Sequence, residues 1–234
     1  IEPIEGVVAK AVEAFGHIDI LVNNAGIIIR NDSVDFTEKE WDDVMNVNLK
    51  SAFFLCQAVA RQFIAQGQGG KIVNVASMLS FQGGVRVPSY TASKSGVKGI
   101  TMLMANEWAK YGINVNAIAP GYMATDNTTQ LRADAERSAE ILGRIPAGRW
   151  GSPEDVGGAV VFLASKAADY INGDTVAVDG GWLARESIGA HHDPRHERRR
   201  PAARCQLAAA VPRLRGGDAD HRLPLPPAAG RHRQ

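Results

Sequence analysis

Cysteine is nearly absent from this chain, with two residues in 234. Two cannot make a disulfide framework, and Cys56 falls in a helical pattern while Cys205 lies in a segment of very different composition. Both read as plain thiols of a reducing, cytoplasmic setting. No run of 18 apolar residues occurs, so no membrane-spanning helix is expected. The first residues, Ile1-Glu2-Pro3-Ile4-Glu5, lack the basic-then-apolar layout of a signal peptide. A charge excess is missing too, but the net +1 averages two unlike parts. Residues 186–234 carry ten Arg and five Asp/Glu, whereas residues 1–185 carry 16 Lys+Arg against 20 Asp/Glu. The larger part is mildly acidic, which argues against a nucleic-acid partner.

The segment 186–234 lacks more. It has no Phe, Trp, Tyr or Lys, yet holds five of the six histidines and six of the eleven prolines. It shows neither a helical nor an alternating period and is expected to be disordered. A basic arm for nucleic acid or membrane is the functional alternative. The abrupt shift to Arg, Ala, Pro, His and Gly suits GC-rich DNA read out of frame.

What is present, in residues 1–185, is an alternation of helix and strand, and a hydrophobic share of 45% is ample for a core. Gly6 to Phe15 is apolar at helical spacing and Gly16 stops it. Ile18–Asn23 reads as a buried parallel strand. Thr37-Glu38-Lys39-Glu40 has the form of a capping box opening one long helix through Trp41, Leu49 and Phe54. Lys71–Ala76, Ile113–Ala119 and Thr175–Val178 are further strands. A helix is expected from Pro88 to Tyr111, ended by Gly112, and another from Ser152-Pro153. This order predicts an α/β fold, a doubly wound parallel sheet with helices on both faces.

The chemistry concentrates around Tyr90 and Lys94, one helical turn apart on one face, with Ser77 thirteen residues earlier. A free phenol has a pKa of about 10 and is a poor base near neutrality. A cation about 4 Å away, at an effective dielectric of about 20, is worth roughly 4 kcal/mol, or about three pKa units. Lys94 is therefore expected to bring Tyr90 into the working range of an acid/base. Ser77, at the end of a strand, offers a hydroxyl to a substrate oxygen beside the tyrosine.

Asn23-Asn24-Ala25-Gly26 follows the first strand, where open α/β sheets bind ligands. Asn48 is an asparagine inside a helix among core residues, where it either holds a water relaying protons to Lys94 or caps a neighbouring loop. Pro120-Gly121 turns the chain after the third strand, and Thr125 offers a hydroxyl and a backbone amide to a planar ligand. The loop Met78–Pro88 holds Gln82, able to bond hydroxyls, and Arg86, able to pair with a substrate carboxylate. Arg30 is a second candidate cation.

In order and spacing these residues resemble the short-chain dehydrogenase/reductase family. The resemblance covers residues 1–185 and implies a Rossmann-like fold, with Tyr90 as acid/base, Ser77 orienting substrate, Lys94 tuning the tyrosine and holding the nicotinamide ribose, and Asn48 completing a water relay. It also implies that Asn23, Ala25 and Gly26 line the cofactor, that Pro120, Gly121 and Thr125 flank its nicotinamide end, and that NAD is the cofactor, with NADP as the alternative. The family's glycine-rich TGxxxGxG turn is not in this sequence. The chain is accordingly expected to start in the helix before the family's fourth strand, as an N-terminally truncated domain that exposes an apolar strand edge and self-associates.

The stretches Ala76–Gly84, Val87–Lys94, Met104–Lys110, Ala119–Thr125, Ile145–Gly151 and Val178–Arg185 look most like one subgroup, the 2-dehydro-3-deoxy-D-gluconate 5-dehydrogenases, also called 2-deoxy-D-gluconate 3-dehydrogenases, of pectin and uronate breakdown. That implies a small sugar-acid substrate and a homodimer or homotetramer joined through the Asn48 and Tyr90 helices, with Ala52, Phe53, Ala60, Val97, Met102 and Met104 beyond one core face. The competing readings are a 3-oxoacyl-carrier-protein reductase, which needs a basic docking surface, and a non-catalytic fragment.

Overall fold

Four short β-rich runs pair in chain order into one parallel sheet in this computed structural model, which describes residues 4–185. The strands are β1 (Ile20–Asn23), β2 (Gly70–Val75), β3 (Ile113–Pro120) and β4 (Thr175–Val178). Register is set by Leu21 opposite Ile72, Ile72 opposite Val115, and Ile118 opposite Val176. The segment 186–234, expected to be disordered, lies outside the described residues.

The helices are α1 (Ile4–Phe15), α2 (Glu38–Met45), α3 (Ser51–Gln66), α4 (Pro88–Trp108), α5 (Thr129–Ala133), α6 (Ala135–Arg144) and α7 (Pro153–Ala164). They cover both faces of the sheet. Cys56, Val59 and Phe63 of α3 and Met104 and Ala105 of α4 meet Ile72, Ile113 and Val115 on one side. Leu163 of α7 meets Val73 and Ile118 on the other. Gly70 makes the first contact possible, because a Cβ there would stand 2.3 Å from the Phe63 ring.

Local chemistry explains most boundaries. Thr37 and Glu40 form the expected capping box, with the Thr37 N–H donating to Glu40 Oε2 at 2.8 Å. Gly112 ends the α4 region at φ 72°, a left-handed cap that a glycine adopts without strain. The single long helix expected from Thr37 is broken. Between α2 and α3, Asn46–Lys50 forms a π-helical turn, a widening found most often at functional sites. α5 and α6 were not anticipated. The Asp134 side chain caps α6 by accepting from the Arg137 N–H at 3.0 Å. Ile141 then packs with Met78, Ile145 and Trp182 in a separate small core.

β1 departs from its expectation of burial. Ile20 and Val22 are 48% and 42% exposed, and Phe15 of α1 is 78% exposed. β1 is an edge strand among the described residues, with β2 its one neighbour, so one row of its backbone groups is unpaired.

Candidate active site

The carboxyl ends of the strands gather the residues that the sequence singled out. Ser77 follows β2, is 7% exposed, and sits in extended backbone with its Oγ accepting from the Leu79 N–H at 3.2 Å. Ser80 Oγ donates to the Lys94 carbonyl at 2.7 Å, which fastens this turn to α4. α4 then presents Tyr90 and Lys94 on one face, as the spacing requires. The Ser77 hydroxyl bonds the Tyr90 phenol. Lys94 is 4% exposed; its Nζ donates to the Val75 carbonyl at 2.7 Å and lies 5.7 Å from the centre of the Tyr90 ring.

The electrostatics differ from expectation. Burial pushes the Tyr90 phenol above its ordinary value, opposed by the Ser77 hydrogen bond and then by the charge of Arg30. Burial pushes Lys94 down to about 8. The lysine therefore does not lower the phenol as a 4 Å ammonium would. The ammonium is buried and aimed at a backbone carbonyl, and desolvation is the largest influence on both groups. The cation acting on Tyr90 is Arg30, the second candidate of the sequence reading.

Asn48 lies in the π-helical turn and is 1% exposed. Its Oδ1 accepts from the Ile27 N–H at 2.8 Å, and its Nδ2 donates to the Ile27 carbonyl at 2.9 Å and to Ser93 Oγ at 3.2 Å. The side chain thus caps the neighbouring loop, one of the two roles expected of it, and its Oδ1 keeps a second lone pair. Gly26 lies directly beside it. A Cβ on Gly26 would stand 3.5 Å from both Asn48 Oδ1 and Lys94 Nζ. That missing Cβ leaves a cradle over an ammonium whose remaining N–H groups suit ribose hydroxyls, and Ala25 and Gly26 are exposed beside it. These residues fit a dinucleotide.

Other expected cofactor and substrate residues are engaged elsewhere. The Asn23 amide donates to Cys56 Sγ at 3.0 Å and Asn74 Oδ1 at 2.9 Å. It fastens β1 to β2 and α3. Asn74 passes the network on to Thr101 Oγ1 at 2.9 Å. The Thr125 N–H closes its own turn, on the Met123 carbonyl at 3.0 Å and Thr128 Oγ1 at 3.2 Å. Gly121 follows Pro120 and packs on β4's exit, where a Cβ would stand 2.6 Å from Asp179 Cα. Gln82 Oε1 accepts from Trp182 Nε1 at 3.2 Å, which leaves its amide N–H groups for other partners.

Arg86 is the largest change. Its Nε pairs with Asp32 Oδ1 at 3.0 Å, and both side chains are more than half exposed. Its φ of 62° makes it the one non-glycine residue at positive φ among the described residues. Such a conformation costs of the order of 1–2 kcal/mol for an L residue with a β-carbon. The guanidinium pairs with a loop partner of its own chain. Among the described residues no group of three or more His, Cys, Asp or Glu is placed to hold a metal ion.

A parallel sheet bearing Ser77, Tyr90 and Lys94 beyond its carboxyl edge, with a glycine cradle over the lysine, defines an NAD(P)-dependent oxidoreductase of the short-chain dehydrogenase/reductase type. Residues 2–183 match the family described as "Enoyl-(Acyl carrier protein) reductase", and the chain belongs to that family of short-chain enzymes. Among individual proteins, it is 72% identical over 185 residues to 2-dehydro-3-deoxy-D-gluconate 5-dehydrogenase of Escherichia coli K12, covering 79% of this chain and 73% of that protein. A solved structure described as a 2-deoxy-D-gluconate 3-dehydrogenase from Agrobacterium tumefaciens with bound NADP is 62% identical with a TM-score of 0.73, over 78% of this chain and 75% of that one. A gluconate 5-dehydrogenase from Burkholderia cenocepacia, in complex with NADP and tartrate, is 42% identical with a TM-score of 0.76, over 78% and 71%.

Proposed function

We propose that the protein interconverts a secondary hydroxyl and a ketone on a deoxy-sugar acid, 2-dehydro-3-deoxy-D-gluconate or 2-deoxy-D-gluconate. The observation that carries this is Tyr90, hydrogen-bonded to Ser77 and subject to the charge of Arg30, with the buried Lys94 one turn away on the same helix face. The names of the relatives above point to the same substrate class.

The nicotinamide, when bound, accepts or supplies the hydride. Everything else belongs to this chain. Tyr90 exchanges a proton with the substrate oxygen, and the Ser77 hydroxyl bonds that same oxygen and orients it. Lys94 and Ala25–Gly26 hold the ribose side of the dinucleotide. Burial keeps the phenol protonated and ready to donate toward a ketone. An anionic substrate adds a carboxylate, which Arg30 is placed to read. NAD is the cofactor we infer, and NADP, bound in both solved structures named above, is the competing arm of the assay.

Assembly into a homodimer or homotetramer of a cytoplasmic enzyme completes the reading. The contact residues differ in part from those first expected, with Met102 kept. Ala52, Ala60, Val97 and Met104 are buried within one chain, whereas Phe54, Ile64, Met102 and Leu103 are 42–47% exposed on α3 and α4. These form the apolar face available to a second copy.

The test is turnover of the two sugar acids, followed by reduced-nicotinamide absorbance, in the wild-type and Tyr90→Phe proteins. Loss of the phenol is expected to cost about 10²–10⁴-fold with the fold unchanged by circular dichroism. Equal turnover in the two proteins would overturn the assignment.

A further inference from the structure

The loop leaving β1 is anchored at two points, and Arg30 lies between them. At one end, Asn48 takes both the N–H and the carbonyl of Ile27. At the other end, the Asn31 N–H donates to the Arg86 carbonyl at 3.0 Å, and Asp32 pairs with the Arg86 guanidinium at 3.0 Å. The second anchor is itself braced. Asn31 Oδ1 accepts from the Asp32 N–H at 2.9 Å, and the Asp35 N–H returns to the Asp32 carbonyl at 3.0 Å. One residue, Arg86, therefore meets this turn with both its carbonyl and its side chain, from a left-handed backbone at φ 62°. A strained conformation persists where the surroundings hold it, and the surroundings here are the opposing loop. Arg86 stands four residues before Tyr90, so the clasp references the Arg30 loop directly to the start of the catalytic helix.

We propose that the Asp32–Arg86 pair is a clasp which, with Asn48 as the fixed end, holds Arg30 beside Tyr90, making Asp32 and Arg86 positioning residues for recognition of an anionic substrate. The clasp explains why an arginine in the substrate loop is spent on a carboxylate of its own chain. It rests on the reading of Arg30 as the cation that meets the substrate carboxylate.

Four variants of the full chain test it: Asp32→Asn, Arg86→Gly, the charge-exchanged pair Asp32→Arg with Arg86→Asp, and Arg30→Ala. Arg86→Gly keeps the left-handed backbone and the carbonyl and removes the guanidinium alone. Hydrogen exchange at the Asn31 amide is expected to quicken by about fivefold in both single clasp variants, the upper range for an exposed pair. KM for the sugar acid should rise by a similar factor while kcat stays within about twofold, and the exchanged pair should recover most of the loss. Arg30→Ala should lose the preference for the acid over the corresponding neutral polyol. Loss of that preference in Arg30→Ala with unchanged Asn31 exchange and KM in the clasp variants overturns the clasp and leaves the Arg30 reading standing. An Arg30→Ala protein that still prefers the acid overturns the Arg30 reading, and the positioning role with it.

Discussion

Replacing Lys94 by Met should change how stability depends on pH, and the size of the change follows from the burial of one ammonium. Lys94 is 4% exposed, and burial lowers it from 10.5 to about 8. In the unfolded chain it titrates near its ordinary value, so between those two values the unfolded state binds more protons than the native one. The free energy of unfolding therefore rises with pH across that window. From about pH 7 to about pH 9.5 the expected gain is about 2 kcal/mol at most. The Val75 carbonyl, accepting from Nζ at 2.7 Å, opposes the shift and makes that figure the upper end. Stopping short of pH 10 keeps Tyr90 out of the measurement, because its raised value works in the opposite direction, removing stability above the ordinary phenol range. Methionine fills the space without the charge. Urea unfolding at a series of pH values should show the wild-type curve rising relative to that of Lys94→Met over this range. Parallel curves would mean that Lys94 titrates where an exposed lysine does, and the argument for a buried ammonium would fail.

Cys56 is 0% exposed, and burial pushes its thiol up to about 12, so in a Cys205→Ser protein a maleimide should label it at the rate of global unfolding and not before; labelling of that variant at the rate of a free thiol in native buffer would contradict that burial. Asn48→Ala leaves the Ile27 N–H and carbonyl without their partners and should cost about 1–3 kcal/mol in urea unfolding, together with a weaker apparent affinity for the dinucleotide. Unchanged values on both counts would return Asn48 to an incidental role. Ile20 and Val22 lie exposed on the edge strand, so Ile20→Lys with Val22→Lys should reduce concentration-dependent self-association seen by light scattering, and no change would place the sticky surface elsewhere.

Much of the fold was legible because the apolar periods are strong. The runs Lys71–Ala76 and Ile113–Ala119 each predicted a central strand to within a residue at either end, and Pro88 and Gly112 marked the ends of the Tyr90 helix. α6 was passed over because Ile141 and Leu142 are its only large apolar side chains, and that face packs on Trp182, about forty residues further on. The π-helical turn at Asn46–Lys50 has no local signature at all. It arises where Asn48 must reach Ile27 and Ser93 at once, a demand made by two distant segments. Exposure of β1 likewise depends on what lies beside a strand and not on its own apolar residues.

The charges of the site show the same division more sharply. Tyr90 and Lys94 were correctly placed on one face, because four-residue spacing on a helix fixes direction. The sign of the electrostatics was not readable from spacing, since it turns on water. A lysine four residues away lowers a phenol only if the ammonium faces it in a medium that does not penalise the charge. Here Nζ faces the Val75 carbonyl in a buried setting, and desolvation dominates both groups. The surroundings of Arg86 and Arg30 were hidden for a related reason. Arg86 was the expected partner of a substrate carboxylate and Arg30 the second candidate, and the sequence did not show what else in the chain each would meet. Asp32 pairs with Arg86, and that pairing joins residues 54 positions apart whose loops meet because β1 and β2 are neighbours in the sheet. Thus the adjacency of two strands brings Arg86 onto a carboxylate of its own chain.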